Sequence, residues 1–129
     1  MRLVSPTAPE RVPPPLPPLD PVRVERMGRA LGNLVADALV VEVLATPKPG
    51  LVDTRNTGSH RDMDVETFLA SAAALRPKLA GFFTVGGETA ALPACEIHEA
   101  LRPVGLDCER AMFAATRDVN THKGSVFAF

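Results

Sequence analysis

The sequence predicts an all-α protein, a helical bundle, on three observations. Apolar residues recur at helical spacing in four separate stretches. Asp, Pro and Gly stand where helices should start and stop. No stretch alternates apolar and polar residues convincingly enough for a strand. At 129 residues the chain is long enough for one modest domain with a single core, and too short for two.

The opening segment stands apart. Eight of the 13 prolines fall between Pro6 and Pro21, so "SPTAPERVPPPLPPLDP" reads as an extended polyproline-type tail. Residues 1–19 are expected to be disordered, and the folded part to run over 20–129. "PPPLPPL" also has the P-x-x-P form that aromatic grooves bind, which leaves an adaptor or ligand role as a competing, non-enzymatic reading.

The first helix begins with Asp20 as N-cap and Pro21 at the first helical position, where a missing N–H costs nothing. Met27, Leu31, Leu34, Val35, Ala38, Leu39 and the run Val41 to Leu44 carry it to "TPKPG", where Pro47, Pro49 and Gly50 must stop it. A polar loop then spans Thr46 to Asp64, and a loop that long without periodicity is more often functional than idle.

The second helix covers "DVETFLASAAALRPKLAGFF", with Asp64 as its cap and Pro77 expected to kink or break it; "TVGGET" is read as a turn. Two further helices fit "LPACEIHEALRPV" and "LDCERAMFAAT", separated at Gly105, with Asp107 capping the latter. After "NTHKG" another helix begins, opened by Gly124.

Composition narrows the function. With 14 basic and 15 acidic residues there is no global field to recruit nucleic acid or an anionic membrane, so any anion site must be local. "ADALVVEVLAT" carries two acids and is too short to cross a bilayer. Two cysteines, Cys95 and Cys108, and no signal-peptide apolar region after "MRLVSP" point to free thiols in a cytoplasmic protein.

Three groups of residues could carry chemistry. In "NTHKG", Asn120, Thr121, His122 and Lys123 precede a helix start, a place that attracts phosphate through unpaired N–H groups and the helix dipole. The residue types equally allow Asn120 or Thr121 to cap the helix while Lys123 is solvated. The spacing is not that of a Walker A loop. In the polar loop, Asp53, Asp62 and Asp64 are hard oxygen ligands suited to Mg²⁺ bound with phosphates, and Lys48, Arg55, His60 and Arg61 could meet the phosphates. A solvated charged loop is the plain alternative. Cys95, His98 and Cys108 make three thiol or imidazole groups at a spacing that matches no common zinc site, and "HEALR" lacks the second His of a metalloprotease helix.

"EVLATPKPGLVDTRNTGSHRDMDVETFLAS", Glu42 to Ser71, and "LRPVGLDCERAMFAATRDVNTHKGSVFAF", Leu101 to Phe129, closely resemble the amino-terminal half of triphosphoribosyl-dephospho-CoA synthases. "TPKPGLVD", "GSHRDMD" and "VNTHKG" occur in that family's order and approximate separation. The resemblance implies an all-helical enzyme that transfers the 5-triphosphoribosyl group of ATP to the 2′-hydroxyl of 3′-dephospho-CoA and releases adenine. The product is the prosthetic-group precursor of malonate decarboxylase or citrate lyase.

Carried onto this chain, the family motifs imply phosphate or nucleotide contacts at Lys48, Asn56, Asn120, Thr121, His122, Lys123 and Gly124. They imply Mg²⁺ at Asp53, Asp62 and Asp64, and catalytic roles for His60, Asp62 and Asp64. Family members continue with further helices after "THKG", so the chain is expected to be the amino-terminal portion of a larger all-helical domain. A truncated fragment that binds nucleotide without catalysis is the alternative.

Overall fold

A computed structural model describes residues 19–128, which form four helices and, among these residues, no strand. The disorder expected for the Pro-rich tail lies outside the described residues. Helix α1 spans Pro21–Leu44, α2 Val65–Thr89, α3 Ala94–Thr116 and α4 Lys123–Ala128.

Helix α1 starts as its sequence requires. Asp20 is the N-cap, its carboxylate accepts from the Val22 N–H, and Pro21 occupies the first helical position. Helix α1 ends at Leu44, and the Ala45 N–H closes its last turn onto the carbonyls of Val41 and Glu42.

Helices α2 and α3 correct the expected boundaries. Helix α2 runs unbroken through Pro77 and through "TVGGET", and α3 is one helix from Ala94 to Thr116, through Pro103 and Gly105. Asp107 is therefore mid-helical and caps nothing; its carboxylate pairs with Lys78 of α2 at 2.8 Å. Pro77 and Pro103 both lie on exposed positions, as do Ala73 and Glu99 four residues before them. On that face, water can take up the carbonyls that a proline leaves unbonded, and packing on the opposite face holds the helix continuous.

The three long helices form an open layer with α2 in the middle. Helix α2 packs on α1 and on α3, whereas α1 and α3 make no contact with each other. Both neighbours run antiparallel to α2. Arg76 pairs with Asp37 midway along α2, and Gly87, near the C-terminal end of α2, meets Val24, near the N-terminal end of α1. Gly81 meets Val104 across the α2–α3 seam.

Glycine sets the α1–α2 spacing. A Cβ added at Gly32 would lie 2.7 Å from the Ala80 nitrogen, and one at Gly28 would lie 3.2 Å from the Ala80 oxygen, so only a bare Cα admits this approach. The core beside that seam contains Ala36, Leu39, Ala72, Leu75, Leu79, Phe82, Cys108, Met112 and Val126. Met27, Leu31, Leu34 and Val41 of α1 remain exposed. No helix among the described residues is long and apolar enough to cross a membrane.

This layout decides where the chemistry can sit. Antiparallel packing brings the C-terminus of α1, the N-terminus of α2 and the C-terminus of α3 to one end of the layer. The polar loop and the "NTHKG" motif, more than 50 residues apart in sequence, both emerge there.

Candidate functional site

The α1–α2 loop is held by its own side chains. Asp53 is only 4% exposed, and its carboxylate accepts from the backbone N–H groups of Lys48 (2.9 Å), Arg55 (2.8 Å) and Asn56 (3.1 Å). Those bonds, led by that from Lys48, hold its pKa below the ordinary 3.8 against the opposing effect of burial. Three backbone N–H groups thus share the Asp53 carboxylate, two on Oδ1 and one on Oδ2.

Asn56 does similar work, its side-chain oxygen accepting from the Gly58 N–H at 2.8 Å. Gly58 adopts φ +58, and a Cβ there would lie 2.5 Å from the Gly50 carbonyl, so the loop closes on itself only with glycine at this point. The Ser59 N–H donates to the Gly50 carbonyl at 3.1 Å across the same closure. Val52 is the buried apolar residue of the loop.

Asp64 caps α2 as its sequence predicts. Its Oδ1 accepts from the Thr67 N–H and hydroxyl, each at 2.8 Å, while its own N–H donates to Thr67 Oγ1 at 3.3 Å, which completes a capping box. The backbone bond and then the hydroxyl of Thr67 lower its pKa from the ordinary 3.8. Of the three loop acids, Asp62 alone makes no side-chain hydrogen bond or ion pair among the described residues, and it is exposed. His60, half-buried beside it, is also outside the side-chain network. No group of three or more His, Cys, Asp or Glu among the described residues converges into a metal cage.

Lys48 is more enclosed than a solvated loop lysine. Its side chain is 15% exposed, and Nζ donates to the Glu42 carbonyl (2.8 Å) and the Glu42 carboxylate (2.9 Å). The last full turn of α1 therefore supplies an acid beside the first basic residue of the loop.

The second motif splits into an outward and an inward half. Asn120 caps α4 by accepting from the Lys123 N–H at 3.2 Å. Lys123 Nζ reaches Glu109 of α3 at 3.2 Å, and Gly124 is exposed with open space around its Cα. Thr121 and His122 turn into the layer instead. Thr121 Oγ1 donates to Ser71 Oγ at 2.7 Å, and Ser71 Oγ lies 2.7 Å from His122 Nδ1.

His122, which the family motifs imply as a phosphate contact, is therefore a buried group, 4% exposed. Its backbone N–H donates to the Met112 sulfur at 3.2 Å, and its ring meets Phe68 edge to face with centroids 5.1 Å apart. Burial lowers its pKa from the ordinary 6.5, opposed by the charge of Glu42. Nε2 is buried with no hydrogen-bond partner among the described residues.

With this geometry in place, comparison with known sequences is specific. The ATP:dephospho-CoA triphosphoribosyl transferase family matches residues 28–129. The chain belongs to that family. It is 53% identical over 105 residues to a probable 2-(5''-triphosphoribosyl)-3'-dephosphocoenzyme-A synthase of Vibrio cholerae serotype O1 (strain M66-2), covering 81% of this chain and 34% of that protein. It is 54% identical over 103 residues to the similarly named protein of Albidiferax ferrireducens, covering 80% and 34%. For the synthase of Haemophilus ducreyi the figures are 52% over 99 residues, 77% and 31%. The chain spans about a third of the length of these curated relatives. No solved structure matches it.

Within this triphosphoribosyl transferase fold, the structure adds residues that the motifs alone do not reveal. Glu42 reads in sequence as one polar position in an apolar helix, yet it faces Lys48. Ser71 reads as one small residue in an alanine-rich stretch, yet it holds both Thr121 and His122. Their only signal in the sequence is a polar side chain in an otherwise apolar run, which many exposed residues share.

Proposed function

We propose that the chain is the nucleotide-binding, amino-terminal part of a triphosphoribosyl transferase that acts on ATP and 3′-dephospho-CoA with Mg²⁺. The reaction joins the ribose C1 of ATP to the 2′-hydroxyl oxygen of dephospho-CoA. The bond from that carbon to adenine breaks, adenine leaves with the electron pair, and the hydroxyl proton passes to a base. The product is the prosthetic-group precursor of malonate decarboxylase or citrate lyase. The observation that carries this reading is the convergence of the polar loop and "NTHKG" at one end of the helical layer, in a chain of this family.

The residues available there suit a triphosphate. Lys123, on the rim, and Lys48, once released from Glu42, supply charge-assisted hydrogen bonds to phosphate oxygens. Asp53 and Asn56 keep the loop in shape beneath them. Mg²⁺ usually keeps several waters and takes one or two carboxylates with substrate phosphates, so the uncommitted Asp62 fits it without a protein cage. When bound, the ion would screen the triphosphate. His60 and Asp62 are the groups with side chains free to hold the hydroxyl proton, while Asp64 supports both through the helix cap. Both cysteines are free, which supports a reducing cytoplasm.

The test is incubation of the full chain with ATP, 3′-dephospho-CoA and Mg²⁺, following adenine by chromatography and ATP binding by calorimetry. Stoichiometric adenine with a triphosphoribosyl product supports the transferase. A second reading is a nucleotide-binding segment without turnover. ATP·Mg²⁺ binding with no adenine would select it, and absence of binding defeats both.

A further inference from the structure

Ser71, Thr121 and His122 form a chain of hydroxyl and imidazole groups whose proton positions are fixed by counting. Thr121 Oγ1 donates to Ser71 Oγ, so Ser71 spends an acceptor position on Thr121 and keeps its single proton for another partner. Among the described residues the one other group bonded to the buried Ser71 hydroxyl is His122 Nδ1, 2.7 Å away, and only by donating to it is that proton satisfied. Nδ1 therefore accepts, and an uncharged imidazole must carry its proton on Nε2.

We propose that Ser71 is a positioning residue: the relay from Thr121 through Ser71 to His122 Nδ1 fixes the ring proton on Nε2, making that atom a donor to an acceptor oxygen of the nucleotide. The proposal rests on the nucleotide-binding reading above for its ligand, and on the relay alone for its tautomer.

The ring has little freedom to do otherwise. Ser71 is fully buried, and the backbone of His122 is tied to Met112 while Phe68 packs against the ring. Burial disfavours the imidazolium, which would supply a proton at both nitrogens. Nε2 is left as a buried group with no partner among the described residues. Such orphaned donors are rare because each forfeits its hydrogen bonds to water, and one held in place by a relay is a candidate for use by a ligand. In the free chain Nε2 is closed from solvent, so a nucleotide must displace a neighbouring side chain to reach it. The sequence assigns His122 to phosphate contact; the relay makes that contact an uncharged donor oriented from behind.

Long-range proton–nitrogen correlation spectra of the full ¹⁵N-labelled chain at neutral pH test the relay. The expected spectrum shows His122 with a bare Nδ1 and a protonated Nε2. Thr121→Val keeps the shape but removes the hydroxyl, freeing Ser71 to accept instead of donate, and should give mixed tautomers. Thr121→Ser should restore the single form, and Ser71→Ala should lose it. A proton on Nδ1 in the wild-type chain, a mixture like that of free imidazole, or a Thr121→Val spectrum identical to wild type would overturn the relay.

Titration with ATP·Mg²⁺ then tests the donor. Movement of the Nε2 resonance together with the loop amides of residues 48–62 supports the proposal. Loop amides that move while Nε2 stays still reject the donor role and leave nucleotide binding standing. If nothing moves, the nucleotide reading fails and the donor role with it, and the free-chain spectra still decide the tautomer.

Discussion

Ser71 Oγ lies 2.7 Å from His122 Nδ1, joining the first turns of α2 to the entrance of α4 across 51 positions of sequence. The contact seals the end of the layer where both motifs emerge. Its consequences extend from stability to ligand binding.

His122 should make stability depend on pH near neutrality. Burial depresses its folded pKa below 6.5, so the unfolded chain binds the proton more readily. Its contribution is fully present above about 6.5 and is lost as pH falls through that value toward the folded pKa. Urea midpoints should therefore fall between pH 7.5 and about 5, with a shallower fall in His122→Gln. Equal slopes in the two proteins would remove His122 as the cause. Asp53, Asp64 and Asp107, all lowered in the fold, add losses only as pH drops below 3.8.

Two helical glycines should respond oppositely to alanine. Gly32→Ala forces a methyl group against the Ala80 backbone and should cost about 1–3 kcal/mol by overpacking the α1–α2 seam. Gly86→Ala meets nothing within 4 Å and should stabilise α2 by about 0.5–1 kcal/mol. Denaturant unfolding of both variants reads the signs directly; destabilisation by both would mean that α2 does not run through "TVGGET".

The two thiols should react at very different rates. Cys95 is exposed, whereas Cys108 is buried and its thiol is pushed up to about 11, chiefly by desolvation and then by Asp107. Thiolate is the reactive form, so a disulfide reagent at pH 8 should titrate one group promptly and the second only in denaturant. Prompt reaction of both would contradict the packing of α3 on α2.

Lys123→Ala should separate binding from folding. The Lys123–Glu109 pair is half exposed on the lysine side and should contribute little stability, so unfolding should be almost unchanged. A lost charge-assisted contact to phosphate should weaken ATP·Mg²⁺ binding by roughly 10–100-fold. Calorimetric affinity equal to wild type would leave Lys123 as a surface partner of Glu109 alone.

Asp62→Asn should raise the Mg²⁺ concentration needed for half-maximal ATP binding, because the amide keeps an oxygen but loses the charge. Asp64→Ala should instead lower the melting temperature by breaking the capping box. An unaltered Mg²⁺ requirement in Asp62→Asn would take that carboxylate out of metal binding.

The sequence by itself determined the helical class, the start of α1 at Asp20–Pro21, its end before "TPKPG" and the Asp64 cap of α2. Each is a local matter, settled by backbone donors and side chains within a few residues. Local rules failed at Pro77, Pro103 and "TVGGET", where burial along one face of α2 and α3 keeps a helix that the isolated segment would interrupt. They also could not decide between a surface and a buried His122. Only tertiary packing brings Ser71 beneath Thr121 and His122, places Glu42 on Lys48 and commits Asp53 to the loop backbone while Asp62 stays uncommitted. Residue type tells which groups can donate or accept. Which partner each one meets depends on the antiparallel register of three helices, fixed by close approach at Gly32 and by side chains far apart in the chain.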